Sequence, residues 1–290
     1  MKRTIFTVLI LSFFFNISVF AQKEPQKFTI KNQGLERIYY LYLPDNMKED
    51  APLVLLLHGY GGKAKDYCPS MIPVAEKNGF ALCYPEGSAT DSKGKRSWNV
   101  GYPSQENMKV CDIKFLDKLV KTLQKKYKLS KENVFCTGMS NGGEMCYMLA
   151  YERPGKYKAV APIAGLTLTW MLDLKPKGTM PLMEVHGTAD KTSKWEGDPT
   201  NEGGWGEYIA VPLAVTNWAS INKCTHMTSE VLPLKDTEKP SREVVLHKYL
   251  GGQNGAEVWL YEVKGGGHTW SLDDMNTTEL IWEFFSKYLK

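Results

Sequence analysis

The chain has 290 residues, 36 Lys and Arg against 32 Asp and Glu, and a formal charge of +4 at pH 7. So balanced a charge argues against a nucleic-acid partner or an anionic surface. The length suits one large α/β domain better than two independent ones, and the spacing of the six cysteines matches no zinc signature.

The first 21 residues read as a secretory signal peptide. Lys2 and Arg3 form a basic start, Ile5 to Phe15 is an apolar core, and Val19-Phe20-Ala21 offers a small-residue cleavage site before Gln22. The apolar run is short for a membrane anchor, which needs about 20 residues. The expectation is a secreted protein, periplasmic or extracellular, with no membrane attachment after cleavage and residues 22–290 forming one domain. Loss of Lys2 and Arg3 lowers the charge from +4 to +2.

Residues 27–43 alternate like a β-hairpin turning near Asn32-Gln33-Gly34. Continuous apolar runs follow at 52–57, 81–84, 134–136, 159–163 and 182–185. Runs without polar alternation fit strands buried on both faces, hence a mostly parallel sheet covered by helices. Ile113, Leu116, Leu119, Val120, Leu123 and Tyr127 recur at helical spacing between them. Residues 142–152, 212–221 and 277–289 are further helices, and 243–250 with 258–263 a late strand pair. Strands alternating with helices predict a layered α/β fold. Residues 191–209, rich in Gly, Trp and acids, read as a long loop of the kind that is often functional. Cys136 and Cys146 fall on a core strand and helix. Cys68, Cys111 and Cys224 are the better disulfide candidates, with pairing open.

The chemistry begins at Gly138-Met139-Ser140-Asn141-Gly142, between a strand and a helix. In that context G-x-S-x-G is a nucleophile elbow, a strained turn that lifts a serine hydroxyl above the sheet. Without context it would be an ordinary Gly-rich start of a helix. A serine needs a base, and the base an orienting acid. Asp190 ends the strand-turn Met183-Glu184-Val185-His186-Gly187-Thr188-Ala189-Asp190 and is the expected acid; Asp198 is its nearest competitor. His268 follows three glycines after a strand and is the expected base, with His226 and His247 as formal alternatives. The order Ser, Asp, His is that of an α/β-hydrolase. The oxyanion donors are expected to be the backbone N–H groups of Asn141 and of Tyr60, in the Gly-rich turn Leu57-His58-Gly59-Tyr60-Gly61-Gly62, with Gly59 as fallback for Tyr60. No Lys-Ser/Thr follows those glycines, which argues against a nucleotide-binding loop.

With these blocks in place, the chain resembles the secreted feruloyl esterases, acetyl xylan esterases and polyhydroxybutyrate depolymerase-like esterases of the α/β-hydrolase superfamily. The matching blocks are 56–62, Ser97-Trp98-Asn99, 138–143, His186-Gly187-Thr188-Ala189-Asp190 and Gly266-Gly267-His268-Thr269-Trp270. The resemblance implies an α/β-hydrolase fold with Ser140 as nucleophile, His268 as base and Asp190 as acid. It implies no metal and no organic cofactor. Trp98 and Trp270 are expected to line the site. The implied substrate is a feruloylated or acetylated polysaccharide or oligosaccharide. A polyhydroxybutyrate depolymerase or a peptidase would use the same triad. A non-catalytic carbohydrate-binding protein would have no need of all three residues.

Overall fold

The computed structural model describes residues 24–66, 68–88, 91–236 and 241–290. The expected signal peptide, 1–21, lies outside the described residues. β1 (Gln26–Asn32) and β2 (Leu35–Tyr42) pair antiparallel, Asn32 opposite Leu35. Their two-residue turn has positive φ at Gln33 and Gly34, 52° and 77°, which matches the twist of a tight hairpin. The hairpin is tied down by Arg37, whose buried guanidinium meets the Asp112 carboxylate at 2.7 Å.

β3 (Leu53–Leu57), β4 (Ala81–Pro85), β5 (Val134–Met139), β6 (Ala159–Ile163) and β7 (Leu182–Gly187) are the apolar runs. β8 (His226–Val231), β9 (Val244–Leu250) and β10 (Val258–Val263) complete one sheet in the order β1-β2-β4-β3-β5-β6-β7-β10-β9-β8. The pairings from β4 through β10 are parallel, and the outer ones antiparallel. The central strands have no polar alternation because helices cover both faces.

One face packs on α2 (Asp112–Tyr127), α3 (Asn141–Glu152) and α4 (Val211–Ile221), through Leu116, Leu119, Met145, Leu149, Val215 and Trp218. The other packs on α1 (Met71–Asn78) and α5 (Thr277–Ser286), through Met71, Val74, Ile281, Trp282 and Phe285. The expected layered α/β architecture is present. α1 and β8 are additions to it.

All six cysteines carry free thiols, so the expectation of a disulfide among Cys68, Cys111 and Cys224 is corrected. Cys68 is buried in the apolar layer beside α1, whereas Cys111 and Cys224 belong to the opposite face of the sheet. Cys136 and Cys146 are buried, as expected of core positions, with their sulfurs 3.7 Å apart.

Candidate active site

β5 ends one residue before Ser140, and α3 begins one residue after it. Ser140 takes φ 54° and ψ −126°, a conformation an L-residue holds only under constraint. The constraint is visible. The Ser140 N–H donates to the Ile163 carbonyl at 2.8 Å, and its own carbonyl accepts from the Glu144 N–H at 3.0 Å. The helix starts so close to β3 that a Cβ on Gly142 would sit 2.4 Å from the Leu57 carbonyl oxygen. Only glycine fits there.

Asp190 and His268 stand on loops that follow β7 and β10, neighbouring parallel strands. Both loops therefore leave the sheet at the carboxyl edge that also carries Ser140, where α/β folds gather reactive groups. The loops touch backbone to backbone: a Cβ on Gly187 would lie 2.3 Å from the Gly266 carbonyl carbon. Asp190 Oδ2 meets His268 Nδ1 at 2.7 Å. Asp190 Oδ1 accepts from the N–H groups of Thr192 and Ser193 at 2.8 and 2.9 Å. Burial pushes the Asp190 carboxyl up. The bond and charge of His268, the Ser193 N–H and the nearby His186 outweigh it and hold it below its ordinary value.

The competitors are occupied elsewhere. Asp198 accepts from the N–H groups of Glu202 and Gly203 at 3.0 and 2.7 Å and pins the 191–209 loop. His226 is exposed on β8. His247, on β9, meets Glu262 at 3.0 Å and Ser229 at 2.8 Å.

Asn141 is the first residue of α3, so its N–H precedes the helix's own hydrogen-bond ladder. Its side chain is fully buried. Oδ1 accepts from the Trp98 N–H at 2.6 Å, and Nδ2 donates to the Trp98 carbonyl at 3.1 Å. The Tyr60 loop is held by His58. His58 Nδ1 donates to the Gly59 carbonyl at 2.7 Å, and Nε2 accepts from the Gly87 N–H at 2.9 Å. That pairing fixes a neutral tautomer, and burial lowers the His58 pKa to about 4. Tyr60 donates its hydroxyl to Asp91 and packs edge-on against Trp205 at 5.2 Å.

Trp98 is a correction. Its side chain is fully buried, stacked on Phe115 at 6.5 Å, with its indole N–H donated to the His58 carbonyl at 2.9 Å. It supports the site from beneath and does not line it. Trp270 is half-buried just beyond His268, against the layer that holds α5.

Two buried carboxylates escaped the sequence reading, Glu144 and the Glu184 that pairs with His186. Glu144, in the first turn of α3, accepts from the Tyr102 hydroxyl and from the Leu166 N–H at 3.1 Å. Glu184 and His186 lie behind Asp190 and meet each other at 2.9 Å. A signal was present for the latter pair: two polar residues two apart in an apolar strand point to the same face.

Burial pushes the Glu144 carboxyl up to about 8, above its ordinary value, although Tyr102, the Leu166 N–H and Asn141 work the other way. The folded state therefore binds this proton more tightly than the unfolded chain. Its contribution to stability is full at low pH and is lost as pH rises toward 8. The lowered His58 titrates below this range. Between pH 6.5 and 8, wild-type Tm should fall relative to that of Glu144→Gln. Parallel Tm curves for the two proteins would refute the assignment.

The family model for PHB depolymerase esterases matches residues 37–192. The chain is 24% identical over 261 residues to a bifunctional acetylxylan esterase/xylanase of Neocallimastix patriciarum, covering 89% of this chain and 34% of that protein. It thus spans about a third of that relative. It is 26% identical over 279 residues to feruloyl esterase D of Neurospora crassa, covering 91% of this chain and 86% of the relative. Among solved structures, an acetyl xylan esterase from Aspergillus awamori superposes with a TM-score of 0.60 at 14% identity, covering 90% of this chain and 99% of the other. At that identity the likeness is one of fold, the α/β-hydrolase fold.

Proposed function

This chain belongs to the PHB depolymerase esterase family, and on that premise we propose that it is a secreted serine esterase that removes feruloyl or acetyl groups from xylan-type polysaccharide. Residues 1–21 direct secretion, and residues 22–290 act as one esterase domain. The observation that carries the reading is the 2.7 Å contact of Asp190 with His268, on the sheet edge where the elbow presents Ser140.

Ser140 Oγ attacks the ester carbonyl carbon while His268 Nε2 takes its proton. The oxyanion that forms is held by the N–H groups of Asn141 and Tyr60. Collapse expels the sugar alkoxide, which His268 protonates, and leaves an acyl-serine. Water, deprotonated by His268, then releases the acid and restores Ser140. Asp190 holds the imidazole and stabilises its charged form.

A groove of about 750 Å³ supports a polysaccharide substrate. It is lined by Tyr102, Leu168, Trp170, Leu172, Asp173 and Glu207, among others. Tyr102 ties its wall to the first turn of α3 through Glu144. Trp170 is 39% exposed, a flat apolar face of the kind that sugar rings cover, and Asp173 and Glu207 supply acceptors for sugar hydroxyls. Trp170→Ala should lower kcat/KM on acetylated xylo-oligosaccharide about tenfold, roughly 1.4 kcal/mol. The loss should shrink for 4-nitrophenyl acetate, which carries no sugar chain to lie in the groove. Equal losses on both substrates would remove the groove from the reading.

The test of the function is a substrate panel: methyl ferulate, acetylated xylo-oligosaccharide, 4-nitrophenyl acetate and a hydroxybutyrate trimer. Turnover of the ferulate or the acetylated sugar supports the proposal. Turnover of the trimer alone replaces it with polyester hydrolysis, which the family's description favours. Folded protein inert on all four would favour glycan binding without catalysis.

A further inference from the structure

β7 carries Glu184 and His186 into the interior two residues apart, and both side chains are completely buried. Two donors and one ring nitrogen converge on the Glu184 carboxylate. The Gly165 N–H reaches Oε1 at 3.2 Å, the Tyr147 hydroxyl reaches Oε2 at 3.0 Å, and His186 Nδ1 stands 2.9 Å from Oε1. The other ring nitrogen of His186 stands 2.8 Å from the Ser193 carbonyl oxygen and 3.7 Å from Asp190 Oδ2. Both nitrogens of this imidazole thus face oxygen acceptors. Burial raises the Glu184 carboxyl, while His186, the Tyr147 hydroxyl and the Gly165 N–H work against that; with this carboxyl ionised, a neutral ring would aim a lone pair at one of those oxygens, whereas the imidazolium satisfies all of them.

We propose that His186, held doubly protonated by Glu184, is a positioning residue: a buried cation that stands behind Asp190 and fixes the carboxylate on which His268 depends. The inference rests on the Ser140-His268-Asp190 reading and extends it inward to Glu184. Burial opposes charge on His186, but Glu184, the Ser193 carbonyl and Asp190 outweigh it and raise its affinity for the proton. The groups facing the pair are Tyr147, Glu144 and Cys146 from α3, the Ser193 carbonyl and Asp190 from the loop after β7, and the Trp195 ring at 6.0 Å. On β10, Glu262 is in register with His186 but is held by His247 and Lys264. Asp190 connects the pair directly to His268.

A fixed positive charge behind Asp190 has a consequence that packing alone does not. It opposes the arrival of a further positive charge next to Asp190 and so extends ester hydrolysis to lower pH. Neutral His186→Gln should move the acid limb of the kcat/KM profile for 4-nitrophenyl acetate upward by about one pH unit. Activity would then fall about tenfold at pH 6 and by much less at pH 8.5. Glu184→Gln, which removes the anchor of the charge, should move the limb in the same direction. A loss equal at all pH values, or an acid limb that stays in place, would overturn the inference.

Should both variants fail to fold, nitrogen NMR of histidine-labelled wild type decides. The expected spectrum shows both His186 nitrogens protonated from pH 5 to 8, and a neutral tautomer at pH 7 would overturn the inference. Failure of the underlying triad has a different signature. Ester turnover would then survive Ser140→Ala, whereas failure of the present inference leaves an enzyme that Ser140→Ala still silences.

Discussion

Ser140→Ala should reduce ester turnover by about 10⁴- to 10⁶-fold while the protein stays folded. The alanine removes only Oγ, and nothing that builds the elbow runs through that atom. The turn is held by the Ser140 N–H on Ile163, by the Ser140 carbonyl on Glu144, and by the approach of Gly142 to Leu57. His268 keeps Asp190, and the N–H groups of Asn141 and Tyr60 keep their places. Residual hydrolysis through those donors sets the floor. The measurement is single-turnover hydrolysis of 4-nitrophenyl acetate beside a thermal melt. Activity within tenfold of wild type, with an unchanged Tm, would assign the nucleophile elsewhere.

Asp190→Asn should cost about 10⁴-fold in kcat. Asp190 accepts two loop N–H groups on Oδ1 and presents Oδ2 to His268 Nδ1. An asparagine that keeps its oxygen on Thr192 and Ser193 must turn its NH₂ toward His268. The ring then accepts on Nδ1 and carries its proton on Nε2, the nitrogen that must receive the proton of Ser140. The geometry survives while the tautomer is wrong. The loss should therefore lie in kcat, with a smaller change in KM. A variant that keeps a tenth of wild-type kcat would make Asp190 a structural residue.

The parts of this fold legible in the sequence are those set by local pattern. The apolar runs at Leu53–Leu57 and Ala159–Ile163 are buried throughout, and the stripe from Ile113 to Leu123 is the buried face of α2. β8 was not legible because all six of its residues are exposed, so neither alternation nor an apolar run marks it. α1 has eight residues with a proline in its first turn, too short for a clear periodicity. In the site, spacing and order selected Ser140, Asp190 and His268, and the Asp190–His268 contact lies where that order points. Trp98 was misjudged because its burial comes from Phe115 and Asn141, 17 and 43 residues along the chain, partners that no local window contains. Glu184 and His186 could have been singled out, since a carboxylate in an otherwise apolar buried strand needs a partner.

The meeting of Gly187 with Gly266 separates two kinds of freedom in this molecule. The spacing between the Asp190 and His268 loops is set by main chain against main chain, so a single added carbon at either glycine acts as a wedge. Drift in those loops is thereby foreclosed. The groove is built around Tyr102 and Trp170, on the connections after β4 and β6, and around Glu207, farther from Asp190 along the connection after β7. Such an arrangement lets outer loops be rewritten, and one ester exchanged for another, while the meeting of the Asp190 and His268 loops is kept.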